Sequence, residues 1–365
     1  MRIFDLKFDN KSQDYFKNHA GKIFKEGFFS NHTYVKKFED KFKQFNNTKY
    51  CLATSSGTSA LEIILRSYNL KKKNVLMNAN TFIATAHAAV NAGANIIPVD
   101  IENKYFLMCP NDLRKKISKK TGAVVIIHIG GRITPYIEEI KTICKKYNVP
   151  LIEDAAQAVG SKFKKINAGN FGDAGAMSFY TTKVMTTGEG GMITTNNKNI
   201  YENIISLREF GFIKGEKTKY DKISSNFKLS EFSALLGLIE LKRVRLRIQQ
   251  RNKIAKRYQK YFQKNSNYNL LKEPKNTFSN YYKQIFLSSF ERIKIKTILE
   301  SNNIPLTGGV YYTPIHKQPV YRNILKKFKL PVTDYFCKNH FCPPCYPELS
   351  TKQIDQICKV LSSVK

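Results

Sequence analysis

Residues 172–195 read GDAGAMSFYTTKVMTTGEGGMITT and surround one lysine, Lys183, with glycines and small hydroxyl residues. Small residues allow the backbone to come close to a bound molecule. In such a confined setting, burial and nearby cations favour the neutral amine, which can attack a carbonyl group and form an imine. Ser178, five residues earlier, offers a hydroxyl group to an anion. The segment predicts a covalent lysine site, and only this flanking sequence distinguishes Lys183 from the many other lysines.

A carboxylate is the second candidate group. The apolar residues 149–152 (VPLI) are followed directly by EDAAQAVG, residues 153–160. An acid at the C-terminal end of a parallel strand lies where open α/β sheets bind their ligands. There, Asp154 can pair with a protonated ring nitrogen, which keeps a pyridinium ring cationic and able to act as an electron sink. Taken alone, Asp154 is equally well explained as a helix cap.

A hydroxyl-rich turn, SSGTSALE at residues 55–62, follows a short apolar run and opens a helical pattern. The free N–H groups and the positive dipole end of a helix N-terminus form an anion site suited to phosphate. An ordinary N-cap explains the same residues. A similar turn, SNFKLSE at residues 225–231, begins a long helical stretch and by itself predicts only a cap.

Strands and helices alternate on both sides of these segments. Residues 123–129 (AVVIIHI) form a continuous apolar run, as expected for a strand buried on both faces. The other predicted strands are 50–54, 75–77, 95–99 and 149–153, and the predicted helices are 33–47, 81–93 and 136–147. This alternation predicts an α/β layer built on a mainly parallel sheet.

The pattern changes from about residue 230. A long helical stretch at 231–261 is followed by a mixed tail, with extended segments expected at 281–287 and 309–312 and a last helix at 352–361. We therefore predict a large domain at residues 1–245 and a smaller α+β domain at residues 246–365.

Composition limits the classes of function. The chain has 365 residues, 42% of them hydrophobic, which is enough for one large domain and a smaller one. The formal charge of +33 attracts anions, but the lysines are scattered and no nucleic-acid-binding module is recognisable, so we predict no nucleic-acid binding.

No apolar run approaches the roughly 20 residues of a membrane-spanning helix. The N-terminus does not have the pattern of a signal peptide, so we expect a cytoplasmic protein without membrane insertion.

Together these segments resemble the DegT/DnrJ/EryC1/StrS family of sugar aminotransferases, which depend on pyridoxal 5′-phosphate (PLP). The resemblance spans nearly the whole chain in the family's order. It implies a fold-type-I PLP enzyme, similar to aspartate aminotransferase, with a mainly parallel seven-stranded sheet. The matching pieces are SSGTSALE, TFIATAHAAVNAGA, PVDIE, EDAAQAVGS, the segment around Lys183, LREFG, SNFKLSEFSALLG, YYTPIHKQPVYR and PPCYPELS.

The resemblance also implies roles for individual residues. Lys183 would form the Schiff base and move the proton, and Asp154 would pair with the pyridine nitrogen. Gln157 would lie near the ring hydroxyl, and Phe82 would stack on the ring unless it is plain core. The phosphate would be held by Gly57, Thr58 and Ser178. In the family, the asparagine that matches Asn226 reaches the phosphate of the partner subunit, which implies a homodimer with shared active sites.

The implied reaction has two stages. An amino donor, usually glutamate in the family, gives its amino group to PLP, and the amine then passes to a keto group of a nucleotide-activated sugar. A variant branch of the family has histidine in place of the lysine and removes a hydroxyl group instead, so the presence of Lys183 favours transamination. Sugar dehydration on PLP is the alternative enzyme, and an inactive scaffold with a regulatory role is a third reading that Lys183, Asp154 and Gln157 argue against.

Some positions depart from the family pattern near the substrate end of the site. The common H-x-x-G-Q element is replaced by HIGGR at residues 128–132, which predicts an unusual sugar and leaves Arg132 as either a contact to a diphosphate or carboxylate or a surface residue. His316, in TPIHKQP, matches a histidine expected near the active site. Arg208, in LREFG, is likewise expected near the active site.

The cysteines allow one competing interpretation. Cys337, His340, Cys342 and Cys345 have the density of a zinc site. The segment matches a strand and loop that carry no metal in the family, and the two prolines between Cys342 and Cys345 stiffen the spacer. We therefore predict no metal and expect the seven cysteines to be free thiols.

Overall fold

The computed structural model describes residues 1, 6–306 and 308–364. Its strands are β1 (Tyr50–Thr54), β2 (Asn74–Asn78), β3 (Asn95–Val99), β4 (Thr121–Ile127), β5 (Leu151–Asp154), β6 (Lys162–Phe163), β7 (Ile166–Asn167), β8 (Ala174–Ser178), β9 (Gly191–Thr195), β10 (Phe212–Ile213), β11 (Glu216–Tyr220), β12 (Tyr268–Leu270), β13 (Thr277–Phe278), β14 (Phe286–Ser288) and β15 (His340–Phe341). Its helices are α1 (Asn10–Glu26), α2 (Thr33–Asn46), α3 (Gly57–Arg66), α4 (Ile83–Asn91), α5 (Pro110–Lys116), α6 (Ile137–Lys146), α7 (Lys198–Arg208), α8 (Glu231–Phe262), α9 (Arg292–Ser301), α10 (Arg322–Leu325), α11 (Pro331–Asn339) and α12 (Thr351–Ser362).

A central seven-stranded sheet has the strand order β1-β9-β8-β5-β4-β2-β3. Strands β3, β2, β4, β5 and β8 pair in parallel, whereas β9 runs antiparallel to both β8 and β1. The predicted α/β class with a mainly parallel sheet of seven strands is confirmed. Because neighbouring parallel strands end at one edge of the sheet, the residues after β5 and β8 lie close together.

Two hydrophobic cores cover the two faces of this sheet. Alternate side chains of β4 point to opposite faces, so Val125 and Ile127 belong to one core and Val124 and Ile126 to the other. A strand that is buried on both faces needs an unbroken apolar run, which is the pattern that the sequence shows.

The C-terminal part of the chain has a third core. The last turns of α8 pack there against β12, β14, α9 and α12, with Tyr258 and Phe286 fully buried. Residue 245 lies inside α8, which is one continuous helix of 32 residues. We keep the division into residues 1–245 and 246–365 as a proposal, with α8 passing through the boundary. No helix of the described ranges, α8 included, has the length and apolar character to cross a membrane.

The two extended segments expected in the tail differ from the structure. Residues 281–285 form a loop in which Tyr281 has a φ of 46°, and pairing begins only at β14. Residues 309–312 are irregular, with a φ of 72° at Tyr311. The prediction of a strand was wrong at these positions because a positive φ turns the chain away from an extended path.

Candidate active site

A cavity of about 450 Å³ lies at the carboxyl ends of β5 and β8. Its wall combines the first turns of α3 and α4 with the loop after β8 and with two tyrosines from the C-terminal part of the chain. Among the residues that line it are Ser56, Gly57, Thr58, Phe82, Thr85, Asp154, Ala156, Ser178, Thr182, Lys183, Tyr282 and Tyr311. Six of the residues singled out in the sequence therefore meet here: Gly57, Thr58, Phe82, Asp154, Ser178 and Lys183.

The first turn of α3 forms one end of the cavity. Ser56 is the N-cap, and its hydroxyl accepts a hydrogen bond from the N–H of Ser59 at 3.0 Å. A Cβ atom at Gly57 would lie 2.7 Å from Cβ of Ser178, so glycine allows the helix to approach the end of β8. N–H groups in the first turn of a helix lack carbonyl partners within the helix. This end of the cavity suits a phosphate group.

Asp154, the last residue of β5, is buried at 6% exposure. Its Oδ2 accepts a 2.7 Å hydrogen bond from the Thr85 hydroxyl, and its Oδ1 accepts one from the N–H of Ala156 at 3.2 Å. Burial raises the pKa of Asp154, although these two hydrogen bonds oppose the shift. A buried carboxylate at the wall of a cavity is stabilised by a cation, so the site fits a ring nitrogen that carries a proton.

The neighbouring acid, Glu153, faces the other side of the sheet. Its carboxylate accepts hydrogen bonds from the N–H groups of Gly169, Phe171 and Gly172 at 2.6–2.8 Å. His128 lies 2.8 Å from the same carboxylate, and both side chains are fully buried. Because successive side chains of a strand point to opposite faces, Glu153 fixes the loop after β7 while Asp154 faces the cavity.

Lys183 lies in the turn after β8 and is partly buried. Its Nζ is 4.8 Å from the centre of the Tyr282 ring. The Tyr282 hydroxyl lies 3.3 Å from Oγ1 of Thr182. Burial alone would raise the pKa of Tyr282, but the positive charges of Lys183, Lys283 and Arg251 and the hydrogen bond with Thr182 together outweigh it, so the pKa lies below its usual value. The amine and the phenol thus share one side of the cavity.

Gln157 reaches the cavity through another residue. Its Oε1 accepts a hydrogen bond from the N–H of Gly130 at 2.6 Å, and its Nε2 donates one to the Tyr311 hydroxyl at 2.5 Å. The Tyr311 ring in turn stacks on Phe82, with ring centres 5.5 Å apart. Phe82 is 53% exposed, so it is not plain core. Phe82 and Tyr311 therefore line the cavity, whereas Gln157 lies behind them and holds the Tyr311 hydroxyl.

Comparison with known proteins identifies the family of the chain. A sequence profile of the DegT/DnrJ/EryC1/StrS aminotransferase family matches residues 10–362. The chain belongs to this aminotransferase family. It is 32% identical to the GDP-perosamine synthase of Escherichia coli O157:H7, over 90% of this chain and 89% of that protein. It is 30% identical to the UDP-4-amino-4,6-dideoxy-N-acetyl-beta-L-altrosamine transaminase of Campylobacter jejuni strain 81-176, over 91% and 90%.

A solved structure supports the same assignment. A DegT DnrJ EryC1 StrS aminotransferase from Brucella abortus superposes with a TM-score of 0.92 at 25% identity, covering 99% of this chain and 98% of that one. Membership of this aminotransferase family, which the sequence motifs predicted, is confirmed.

Two arginines that the sequence proposed as substrate contacts of this aminotransferase lie elsewhere. Arg132 is buried and donates hydrogen bonds to the carbonyl groups of Tyr105 and Lys272 at 2.7 Å and to Glu273 at 3.2 Å. Its guanidinium is therefore held by acceptors inside the protein and does not line the cavity. Because Arg132 is buried, it is not a surface residue either. The structure gives this residue a role in joining two loops.

Arg208 is similarly engaged. Its guanidinium donates hydrogen bonds to Glu39 at 2.9 Å, to Glu209 at 3.0 Å and to the carbonyl group of Ala53 at 3.4 Å. These contacts tie α2, β1 and the end of α7 together, at a distance from the cavity wall.

His316 and Asn226 also lie outside the cavity wall. His316 contacts Asp334 at 3.1 Å and lines a separate cleft of about 550 Å³. Burial lowers the pKa of His316. Asn226 is exposed, and its Oδ1 accepts a hydrogen bond from the N–H of Lys228 at 3.3 Å. Neither side chain lines the cavity.

The cysteine-rich segment is organised without a metal-like arrangement. Nδ1 of His340 lies 2.8 Å from the carbonyl oxygen of Phe336, and Nε2 accepts a hydrogen bond from the N–H of Val310 at 3.1 Å. Burial lowers the pKa of His340 to about 3. In the described part of the chain, no group of three or more His, Cys, Asp or Glu side chains is placed to hold a metal ion.

Sequence reasoning missed Tyr282 and Tyr311. Both occur in Tyr-Tyr pairs, at 281–282 and 311–312. Tyr282 follows a residue with positive φ, and Tyr311 has a positive φ itself. The motif that contains Tyr311 was recognised, but its tyrosine was not. Paired aromatic residues in otherwise irregular segments are the only signal that the sequence offered.

Proposed function

We propose that this family member is a PLP-dependent aminotransferase that transfers an amino group to a keto group of a nucleotide-activated sugar. The observation that carries the proposal is the meeting of Lys183, Asp154 and the first turn of α3 in one cavity. These three features supply an amine for an imine, a carboxylate for a ring nitrogen and N–H groups for a phosphate.

The residues of the cavity suit PLP. When bound, PLP supplies an electron sink for the bonds at the carbon that carries the amino group. Asp154 would hold the ring nitrogen in its protonated form, and Gly57, Thr58 and Ser178 would bind the phosphate. Phe82 would cover one face of the ring. Lys183 would attach to the aldehyde carbon and, once released, would carry a proton between donor and acceptor carbons.

The acceptor is the finer part of the proposal. The two relatives quoted above are named for a GDP-sugar and a UDP-sugar, which supports a nucleotide-activated sugar for this chain. The formal charge of +33 suits an anionic substrate. We propose glutamate as amino donor and a cytoplasmic location for the reaction, which would serve the synthesis of a surface polysaccharide or another glycan.

A homodimer completes the proposal. Asn226 is exposed on its own subunit and absent from its own cavity wall, which fits a side chain that serves the phosphate in a partner subunit. Mixing two inactive variants, Lys183→Ala and Asn226→Ala, tests this. Mixed dimers would contain one cavity in which both residues are intact, so activity should return to about a quarter of that of the parent protein. No return of activity would contradict the shared site.

Reduction with borohydride tests the central claim. The full chain is loaded with PLP, reduced and digested, and we expect a reduced pyridoxyl adduct on Lys183 that is missing in Lys183→Arg. An adduct on another lysine, or none, would refute the proposal.

A second experiment distinguishes an aminotransferase from a dehydratase. The enzyme is given glutamate with isotopically labelled nitrogen and then UDP-, GDP- and dTDP-keto sugars. Label in the sugar supports amino transfer, whereas loss of a hydroxyl group without label identifies a dehydratase.

A further inference from the structure

The loop at residues 279–283 comes from the C-terminal part of the chain and is attached to the turn after β5. The side-chain amide of Asn280 donates hydrogen bonds to the carbonyl groups of Gln157 at 2.9 Å and Val159 at 3.0 Å. The N–H of Asn280 donates to the Ser161 hydroxyl at 3.0 Å. Because Gln157 follows Asp154 by three residues, the loop is fixed to the same turn that presents the carboxylate.

Two further contacts fix the backbone of Tyr282. Its N–H donates a 2.9 Å hydrogen bond to Oδ1 of Asn280. Its carbonyl oxygen accepts a 3.3 Å hydrogen bond from Arg251, a buried residue of α8 that also donates to the carbonyl groups of Tyr281 and Cys345. Backbone contacts on both sides of Tyr282 fix the point from which its side chain enters the cavity.

The face of this ring lies against the amine of Lys183. The 4.8 Å distance from Nζ to the ring centre is within the range of a cation–π contact. Nζ of Lys283 lies near the same ring at 5.5 Å. Tyr282 is only 9% exposed and Lys183 is partly buried, so their contact is partly shielded from bulk water, which strengthens the attraction.

We propose that Tyr282 is a positioning residue that holds the Lys183 amine inside the cavity whenever that amine is not covalently engaged. The inference rests on the proposed function, in which Lys183 is displaced from its imine by the incoming donor and must then remain within reach of the reacting carbons. A lysine side chain has many rotamers, and a released amine would otherwise be free to turn toward solvent. The aromatic face gives it one preferred place.

The ring face, and not the hydroxyl group, carries this role. The closest partner of the hydroxyl is Thr182, at 3.3 Å, which is itself not a reacting group. Tyr282→Phe keeps the aromatic face and should therefore keep the function, whereas Tyr282→Leu removes it. Tyr261→Leu is a matched control, because Tyr261 is 45% exposed on α8 and lies outside the cavity wall.

The test measures how accessible the amine is. The full chain, freed of cofactor, is reductively methylated, and the extent at Lys183 is compared by peptide mass spectrometry with that at the exposed Lys41. We expect Tyr282→Leu to raise the relative rate at Lys183 about 3- to 10-fold, with Tyr282→Phe and Tyr261→Leu within about twofold of the parent protein. An unchanged rate in Tyr282→Leu, or an equal rise in Tyr282→Phe, would overturn the inference.

A second series avoids any change of shape. Fluorinated phenylalanines placed at position 282 weaken the attraction of the ring for a cation without changing its packing. The relative methylation rate should rise with the number of fluorine atoms, and a flat series contradicts the proposal even if Tyr282→Leu fails to fold. Since no cofactor is present in either measurement, their failure would leave the borohydride result intact, and the reverse also holds.

The loaded enzyme gives a third readout. After the amino-donor half-reaction, removal of the donor and addition of a keto acid returns the cofactor to Lys183, which is followed by absorbance and by borohydride trapping. We expect this return to slow about 10-fold in Tyr282→Leu and to be nearly unchanged in Tyr282→Phe. Equal rates in all three proteins would show that the ring does not position the amine.

Discussion

The hydroxyl group of Thr85 donates a 2.7 Å hydrogen bond to Oδ2 of Asp154 and so joins the first turn of α4 to the end of β5. Oγ1 of Thr81 lies 2.8 Å from Oγ1 of Thr85, which makes a chain of hydroxyl groups that ends on the carboxylate. Together with the N–H of Ala156, these contacts fix the plane of the carboxylate at the cavity wall. The orientation of Asp154 toward a ring nitrogen therefore depends on α4 as well as on its own strand.

Replacing Thr85 should weaken cofactor binding. Thr85→Val keeps the shape of the side chain but removes the hydroxyl group, and a hydrogen bond to a charged group contributes about 1.5–3 kcal/mol. We expect the dissociation constant for PLP, measured by absorbance titration of cofactor-free protein, to rise roughly 10-fold or more. Thr85→Ser, which keeps the hydroxyl, is the control. Equal affinities of Thr85→Val and the parent would show that the contact does not support the carboxylate.

The raised pKa of Asp154 predicts a pH-dependent difference in stability. Because burial raises this pKa in the folded state, the folded protein binds the proton more tightly than the unfolded chain does, and ionisation costs stability as the pH rises. Asp154→Asn cannot ionise. In cofactor-free protein, the free energy of unfolding of Asp154→Asn relative to the parent should therefore increase from about pH 4 upward and level off above the raised pKa.

Denaturant unfolding at several pH values measures this difference. Other partly buried acids with raised pKa values, such as Glu39 and Glu273, are common to both proteins, so their contributions cancel in the comparison. A difference that is constant with pH, or that falls as the pH rises, would contradict the assigned direction.

Arg132 should affect stability more than substrate binding. Removing one partner of a buried ion pair leaves an uncompensated charge and typically costs about 3–5 kcal/mol, and the carboxylate of Glu273 would be that charge. For Arg132→Met we expect a loss of about 3 kcal/mol in the free energy of unfolding and a KM for the sugar within about twofold. The double variant Arg132→Met/Glu273→Leu should recover part of the loss. A large rise in KM with unchanged stability would restore the sequence-based hypothesis of substrate contact.

The cysteine-rich segment should behave as inert thiols. Burial raises the pKa values of Cys337 and Cys342 to about 12, and thiolates, not thiols, are the reactive species. Of the seven cysteines, six are buried and Cys109 is partly exposed. Native protein should therefore react at Cys109 first with a thiol reagent, contain no stoichiometric zinc by elemental analysis and keep its melting temperature in the presence of a chelator. Bound zinc that stabilises the protein would reverse the interpretation of this segment.

The sequence by itself determined the layer architecture and identified two side chains of the cavity, Lys183 and Asp154. The apolar run of β4 and the regular alternation of strands and helices are local patterns, and local patterns follow from periodicity and burial alone. Lys183 and Asp154 were found for the same reason, since each lies beside its own strand in a short diagnostic segment, and parallel strands bring such segments to one edge of the sheet.

Only the tertiary structure decided which side chains complete the cavity. Tyr282 is about a hundred residues from Lys183 along the chain, and it reaches the amine because Asn280 and Arg251 fix a loop that the sequence had suggested as a strand. Arg132, expected at the substrate, instead donates hydrogen bonds to carbonyl groups and to Glu273, a partly buried acid of a distant loop. Such contacts depend on how segments distant in the sequence pack together. A buried charge or aromatic face contacts whichever group the fold places beside it, and no local sequence pattern predicts which group that is.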